Sequence, residues 1–512
     1  MVTHAPHTTA TLLASESSNV GSDQQHGSTD RERHSPGNST KCDWTSPWPA
    51  YSSNPFSIPT SLPPLSGRGG IIVNFFTDDC LLDYAISQKD GKYGSGVGRI
   101  AVYDHDGHEV WIEENIDLRI NGNAEHHGLP GWSGPGLSSG DVDGDGKIEL
   151  VHLDTDNHVV IRDGQTGAVK KTFSIGYPAG SNPLERMKQF LSSYGLTKER
   201  HWGMVQVVNL RGQGLQDAIL QSDHLPFNQL AAIRLDTGAL LWTYEGYVGQ
   251  KHGGFRTADI DLDGRDEVIG VTILDDDGKK LNTWEYPVTI DTIDAPHIDA
   301  VHAYDIDPSI PGLEVLLLEE HWGKSKPANH TTLVNADKVI WRANREYIEP
   351  QNSAIGEFDL SAPGLEIWSR SRFDKAQLPW IYNAQGEVIA QYALNDMKPE
   401  DWSDSGIEFI NAIHWDGNGL QHIAAKERHT EGKVAILNPM TGEFLKVWDE
   451  TAAHLLVADV AGDAREEIIV FNNKTKEIRI YWNEKPGSGD TQRLWLHNHY
   501  QRAKDNYNYY SP

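Results

Sequence analysis

One pattern recurs along this chain and leaves few folds open to it. An apolar strand runs into an Asp- and Gly-rich turn, and a second apolar strand leaves that turn. The copies read SSGDVDGDGKIELVHL (138–153), VQVVNLRGQGLQDAIL (205–220), RTADIDLDGRDEVIGV (256–271), HAYDIDPSIPGLEVLLL (302–318), IGEFDLSAPGLEIWS (355–369), NAIHWDGNGLQHIAA (411–425) and VADVAGDAREEIIVF (457–471). A degenerate copy, IIVNFFTDDCLLDYAIS (71–87), precedes them and makes eight. Most copies are followed by a second hairpin of one flavour, such as VVIRDGQTGAVKKTF, AAIRLDTGALLWTY, WIYNAQGEVIAQY or VAILNPMTGEFLKVW. Asp-x-x-Gly and Asn-x-x-Gly links between alternating strands suit tight hairpins. Two hairpins per unit, repeating at roughly 45–60 residues, is the period of a propeller blade. The expectation is an all-β, eight-bladed β-propeller of four-stranded antiparallel blades, or seven if a terminal unit is partial. Trp242, Trp341 and Trp448 recur at one place in the second hairpin and are expected in the core.

The repeat starts at Gly69. Residues 1–68 are rich in Ser, Thr, His, Asn and Pro without apolar periodicity. They predict a disordered tail over about the first 40 residues, then an extended Pro-rich arm on the body, with 69–512 as the propeller domain. The two cysteines, Cys42 and Cys80, are too few for a disulfide scaffold, and either one bridge or two free thiols is compatible with them. The balance of 44 basic against 73 acidic side chains, 44 − 73 = −29, argues against nucleic acid as a partner. No apolar stretch approaches the roughly 18 residues of a membrane helix. No basic and apolar leader opens the chain. The expectation is a monomer, secreted, with no membrane partner.

The acidic turns have their own chemistry. Asp141, Asp143, Asp145 and Glu149 stand at positions 1, 3, 5 and 9 of DVDGDGKIE, and Asp259, Asp261, Asp263 and Glu267 repeat that spacing in DIDLDGRDE. Alternating oxygens on a tight turn wrap one hard cation, which points to Ca²⁺. In the other copies the carboxylates are eroded.

In such a unit, residues before the first strand and after the second meet at the opposite end from the acidic turn. That end collects His126, His127, His201, Trp202, His252, Arg256, His297, Asp299, Glu319, Glu320, His321, Trp322, Arg370, Arg372, Lys426, Arg428 and His429. Histidine can accept or donate a proton near neutral pH, and arginine binds a carboxylate through two parallel bonds. An acidic ligand is the expectation. No nucleophile elbow, phosphate loop, dinucleotide fingerprint or zinc motif occurs. Glu319 and Glu320 leave hydrolysis by paired carboxylates open.

The run KHGGFRTADIDLDGRDEVIG, then ILDDDGKKL, then HIDAVHAYDIDPSIPGLEVLLLEE, resembles the rhamnogalacturonan lyases built on an eight-bladed propeller. His297, Asp299, Ala300, His302, Asp305, Asp307, Pro308, Pro311, Gly312, Leu313 and Glu314 match that family's pattern, Ile298 stands where it has Gly, and IYNAQGEV (381–388) matches a later hairpin. The resemblance covers 250–390 best. It implies β-elimination at a uronic acid in an acidic polysaccharide. The types this requires are a neutraliser for the carboxylate (Arg256, Arg370 or Arg372), a base or acid (His252, His201 or His321), and an acid (Tyr347). Trp202 and Trp322 would stack on sugars, with His297, Asp299 and Arg428 binding substrate. The rivals are a lyase acting on ulvan or rhamnose–glucuronate linkages, and a non-catalytic carbohydrate-binding propeller of the FG-GAP type.

Overall fold

The computed structural model describes residues 42, 44, 48, 50–64, 69–90, 97–120, 136–176, 202–222, 228–250, 254–284, 297–320, 330–344, 350–371, 377–404, 406–428, 431–485 and 493–505. Over these residues the chain is all-β apart from short helices, with every named strand pair antiparallel. Its strands form five four-stranded sheets, one two-stranded sheet and one seven-stranded sheet, each four-stranded sheet a meander in chain order.

Five of the eight repeats predicted from sequence are such meanders. The first comprises Gly69–Asn74, Asp83–Lys89, Gly98–Tyr103 and Glu109–Ile116, and the third Trp202–Val208, Asp217–Ser222, Asn228–Arg234 and Leu240–Tyr247. The fourth keeps only Arg256–Ala258 and Glu267–Ile269 as full strands, continued by single bridges Val268–Leu274 and Leu274–Lys280. The seven-stranded sheet joins two repeats through the long strand Phe444–Ala458, which pairs with Gly432–Leu437 up to Ala452 and with Glu467–Asn472 from Ala452 onward. Its outermost strand is Phe56–Pro59, paired with Glu477–Tyr481. The Pro-rich arm therefore supplies the fourth strand of the last repeat rather than only lying on the body. An edge position tolerates Pro59 because a missing N–H costs no ladder bond on the open side. The arm is also fastened to the first repeat by a Cys42–Cys80 disulfide, which closes the choice left open by the sequence.

Burial falls from the first strand to the fourth. Trp202–Val208 is buried throughout, whereas Leu240–Tyr247 is mostly exposed or half-buried. First strands contact one another in chain order through Gly69–Asn74, Leu137–Gly140 and Trp202–Val208, and from His297–Tyr304 through Pro350–Gly356 and Ile407–Ile413 to Phe444–Ala458, which returns to Gly69–Asn74.

Neighbouring repeats are stapled by the recurrent aromatics. Trp111, Trp242, Trp284 and Trp341, each on the outer part of one repeat, donate the indole N–H to a backbone carbonyl in the hairpin of the next: Gly164 at 2.7 Å, Asp276 at 2.7 Å, Asn335 at 2.8 Å and Ala384 at 2.9 Å. The hairpin glycines explain the Asx-x-x-Gly flavour. At Gly278 (φ +81°) and Gly386 (φ +82°) a Cβ would stand 2.6 Å from the indole of Trp242 and Trp341, so both the left-handed backbone and the indole packing exclude a side chain.

Candidate functional site

The two ends of each repeat are built differently. At the acidic-turn end the glutamate that opens the second strand, ninth or tenth in the turn, is a backbone staple. Glu149 accepts the Val142 N–H at 3.0 Å and Glu267 that of Ile260 at 2.8 Å. Glu314, Glu366 and Glu467 each take two N–H groups of their own turn, at 2.7 to 3.0 Å. All five are buried, and burial drives their carboxyls up, to about 9 for Glu267 and about 7 for Glu314 and Glu366.

Cation-binding geometry survives in both predicted turns. Asp141, Asp143 and Glu149 present one oxygen each within 4.8 Å of one another, as do Asp259, Asp261 and Asp263. Asp141 Oδ1 and Asp143 Oδ1 are buried without a hydrogen-bond partner among the described residues. Such oxygen-only donor sets fit a hard cation. Asp145 and Glu267 fall outside the two triads. In the first turn the Lys170 ammonium lies 2.8 Å from Asp143, 3.1 Å from Asp145 and 2.8 Å from Glu149. Burial lowers its proton affinity, but the hydrogen bonds to Asp143, Glu149 and Asp145 outweigh that and hold it above the ordinary lysine range.

The helix Asn498–Asp505 packs at this end. Arg502 Nε sits 2.8 Å from Asp266, and Lys504 2.6 Å from Glu466. The Tyr500 hydroxyl donates to Glu466 at 2.7 Å and accepts the Asp459 N–H at 2.9 Å. A cavity of about 50 Å³ remains between the helix and the strands carrying His302, Ser353 and Asn411.

The opposite end carries a recurrent irregularity. The pairing of first and second strands is broken at the same place in five repeats: between Trp202 and Met204, Ile298 and Ala300, Pro350 and Asn352, Glu408 and Ile410, and Ala452 and His454. A bulge at a sheet end re-aims the side chains around it. Buried charge collects beside these bulges. Asp299, Arg370 and Lys426 are all at or below 1% exposed, and Arg256, in a repeat without such a break, is equally buried. Arg370, opposite Asn352 in the ladder, donates from Nε to Gln377 at 3.2 Å. Burial pushes the Arg256 guanidinium down to about 9. It also lowers His302 to about 3, helped by Arg256, and His454 to about 3, helped by Lys426. Both imidazoles are held neutral near pH 7 and are correspondingly weak bases. Phe409, the residue in the fourth of these breaks, packs 5.6 Å from the His454 ring with the Lys426 ammonium 5.6 Å above it.

Of the site residues expected from sequence, Asp299, Arg370 and Arg428 stand at this end, the last half-buried with its N–H on the Gly406 carbonyl; Arg256 instead lines a small cavity with His302, Tyr304 and the helix residues His499 and Arg502. Trp202 differs from expectation. It is 3% exposed, packs among Val151, Val205 and Leu220, and donates its indole N–H to Gly176, so it is core packing rather than a sugar platform. His201, His252, His321, Trp322, Tyr347, Arg372 and the side chain of His297 lie outside the described residues. His454 was not singled out from sequence, nor was His302 as a site residue. The available signal was a histidine inside an otherwise apolar first strand.

An all-β protein of repeated antiparallel meanders, with acidic turns at one end and buried cations at the other, defines the class. The chain belongs to the rhamnogalacturonan lyase family 11, whose C-terminal domain matches residues 232–512, more than half its length. It is 24% identical over 442 residues to the rhamnogalacturonan endolyase YesW of Bacillus subtilis (strain 168), covering 78% of this chain and 64% of that protein. It is 26% identical over 251 residues to the exolyase YesX of the same organism, covering 46% and 37%. This chain thus spans less than two thirds of the length of both relatives. Two solved structures share the fold: that of YesX, with TM-score 0.64, 19% identity and coverage of 88% of this chain and 80% of that one, and that of a Bacillus licheniformis rhamnogalacturonan lyase, with 0.60, 21%, 89% and 81%.

Proposed function

We propose that this chain cleaves rhamnogalacturonan by β-elimination, and that its repeats close into an eight-bladed propeller over 69–512, with Phe56–Pro59 completing the last blade. Family membership across 232–512 carries the reading. The buried cations beside the bulges support it, because eliminating at a uronate requires its carboxylate to be offset before the C5 proton is acidic enough to leave. In the reaction a base takes the C5 proton, the electron pair forms the C4=C5 bond, the C4–O bond breaks, and an acid protonates the departing glycosidic oxygen.

Arg256, Arg370 and Arg372 are assigned as neutralisers, His252, His201 and His321 as base or acid, and Tyr347 as acid. His297, Asp299, Arg428 and Trp322 bind substrate. Ca²⁺ is assigned to the turns at 141–149 and 259–267, at the far end from the chemistry, where it would neutralise the carboxylates and fix the hairpin ends. At 141–149 Lys170 competes with it. The disulfide supports secretion, since such bonds persist in oxidising compartments. The protein acts as a monomer on an acidic polysaccharide.

The test is ultraviolet absorbance on mixing the protein with rhamnogalacturonan I, ulvan and gum arabic, with and without a chelator. A rise on rhamnogalacturonan alone, from the conjugated 4,5-unsaturated uronate, is expected. New reducing ends without absorbance would replace elimination by hydrolysis.

A further inference from the structure

A cavity of about 90 Å³ lies at the acidic-turn end, at the seam of the first and second repeats and away from the buried cations. Its apolar wall is Trp44, Phe75, Phe76 and Ile148, and its polar rim is Asp78, Asp145, Lys147, Asp163 and Gln165. The arm contributes Cys42 and Trp44 to it. The Cys42–Cys80 bridge holds Trp44 over the first repeat, where its ring meets Phe75 edge-on at 5.4 Å. Trp44 is only partly buried, although it packs on the core. The Asp163 carboxylate already accepts Thr166, and Asp145 is neutralised by Lys170, so both are positioned before any ligand arrives.

We propose that this cavity is a second carbohydrate site, one that takes a neutral sugar unit and anchors polysaccharide outside the reacting centre. An aromatic wall packs against the C–H face of a pyranose, and hydroxyls need acceptors and donors at the edge of that face. Trp44 supplies the wall; Asp78, Asp163 and Gln165 supply the edge. The charge selects the sugar. With Lys170 on Asp145, Asp78 and Asp163 face Lys147 alone, so the rim stays net negative and disfavours a uronate, whose own charge would be brought among like charges, whereas a neutral hydroxylated ring meets ready acceptors. The volume takes about three waters' worth of ligand, so one edge of a single ring is held and the rest stays in solvent. Binding of one unit is correspondingly weak, with a Kd on the order of 1 mM. Several units of one chain would hold it more firmly by multivalency, and that gain requires no further contact at the reacting centre.

The choice of sugars to test rests on the lyase reading; the site does not. The probes are methyl α-L-rhamnoside, methyl β-D-galactoside and methyl α-D-galacturonide, none of which has a cleavable interglycosidic bond. They are added to the full chain and followed by saturation-transfer NMR. Signal from a neutral glycoside, weakened at least tenfold in Trp44→Ala and several-fold in Gln165→Ala but kept in Arg370→Ala, is the expected result. Trp44→Ala should leave the elimination rate on soluble polymer unchanged and lower it on insoluble cell-wall material. Equal signal from the galacturonide, no signal from any glycoside at tens of millimolar, or binding that Arg370→Ala removes and Trp44→Ala does not, would each overturn the proposal. A wild-type protein that binds the glycosides yet gives no absorbance rise on polymer would instead remove the lyase reading and leave the anchor standing.

Discussion

The turns at 141–149 and 259–267 share one spacing of carboxylates and differ in what balances them. In the first, Lys170 reaches across from the fourth strand of its repeat to three carboxylates. In the second, the neighbouring cation, Arg265, pairs with Asp276 at 2.9 Å instead of with the Asp259–Asp261–Asp263 triad. The backbone scaffolding is nearly the same: Gly146 and Gly264 donate their N–H to Asp141 and Asp259, and a buried Glu holds the strand start in both. The motif therefore specifies a turn whose oxygens point inward. Which cation satisfies those oxygens is decided by a residue on a different strand.

That comparison is most directly broken at the second turn. Asp261→Ala removes one oxygen of the triad that Arg265, paired with Asp276, does not bind, so most of the calcium-induced stabilisation should vanish, about 2.7 kcal/mol when calcium is at 100 times its Kd. Denaturant melts with and without calcium measure it. Asp143→Ala, at the lysine-filled turn, should change the calcium increment far less; equal losses from the two variants would erase the distinction drawn between the turns. Next in size is Lys170→Met. It leaves three carboxylates facing one another, one of them wholly buried, and should cost roughly 2 kcal/mol in chelator. Calcium should restore that stability, and titration calorimetry should detect a second site close in affinity to the first. An unchanged calorimetric isotherm would mean that Lys170 is not what excludes the ion.

Much of the architecture was legible because each repeat states it twice, once in the strand–Asp turn–strand register and once in the Asx-x-x-Gly hairpin. The aromatic staples were legible as structural because Trp242 and Trp341 recur in one register, although their partners, the turns of the next repeat, were not. What escaped the sequence depends on contacts between distant segments. Phe56–Pro59 is four residues beside a proline, too short to show alternation, and its pairing with Glu477–Tyr481 spans nearly the whole chain. The helix Asn498–Asp505 has a polar sequence because it is buried among charges, Asp266 and Glu466, instead of against an apolar face. At the candidate site, Arg370 was found from its place at a strand end, whereas Trp202 was misread because an aromatic at a strand end looks the same whether it faces solvent or the next sheet. Lys170 could not have been assigned, since nothing local to DVDGDGKIE indicates which side chain crosses it.

A third kind of turn sharpens the comparison most gently. In 355–369 the triad is gone and the staple remains: Glu366 accepts the Phe358 and Asp359 N–H groups at 2.7 and 2.8 Å. Burial raises its carboxyl from 4.5 to about 7 against the pull of those two bonds. A carboxyl with a folded pKa above its unfolded one binds more protons in the fold between the two values. The stability it confers is therefore present below about 4.5 and is lost as pH rises to about 7, beyond which no further change follows. Glu366→Gln keeps an oxygen for the two N–H groups and cannot titrate. Relative to the parent, the variant should gain about 1 kcal/mol on going from pH 4.5 to pH 7.5, measured in chelator so that the ion-binding turns do not contribute. A parent and variant that run parallel across that window would show that Glu366 stays ionised in the fold. The staple would then resemble the cation-balanced turn at 141–149, with its charge compensated locally, and burial alone would no longer separate the eroded turns from the intact ones.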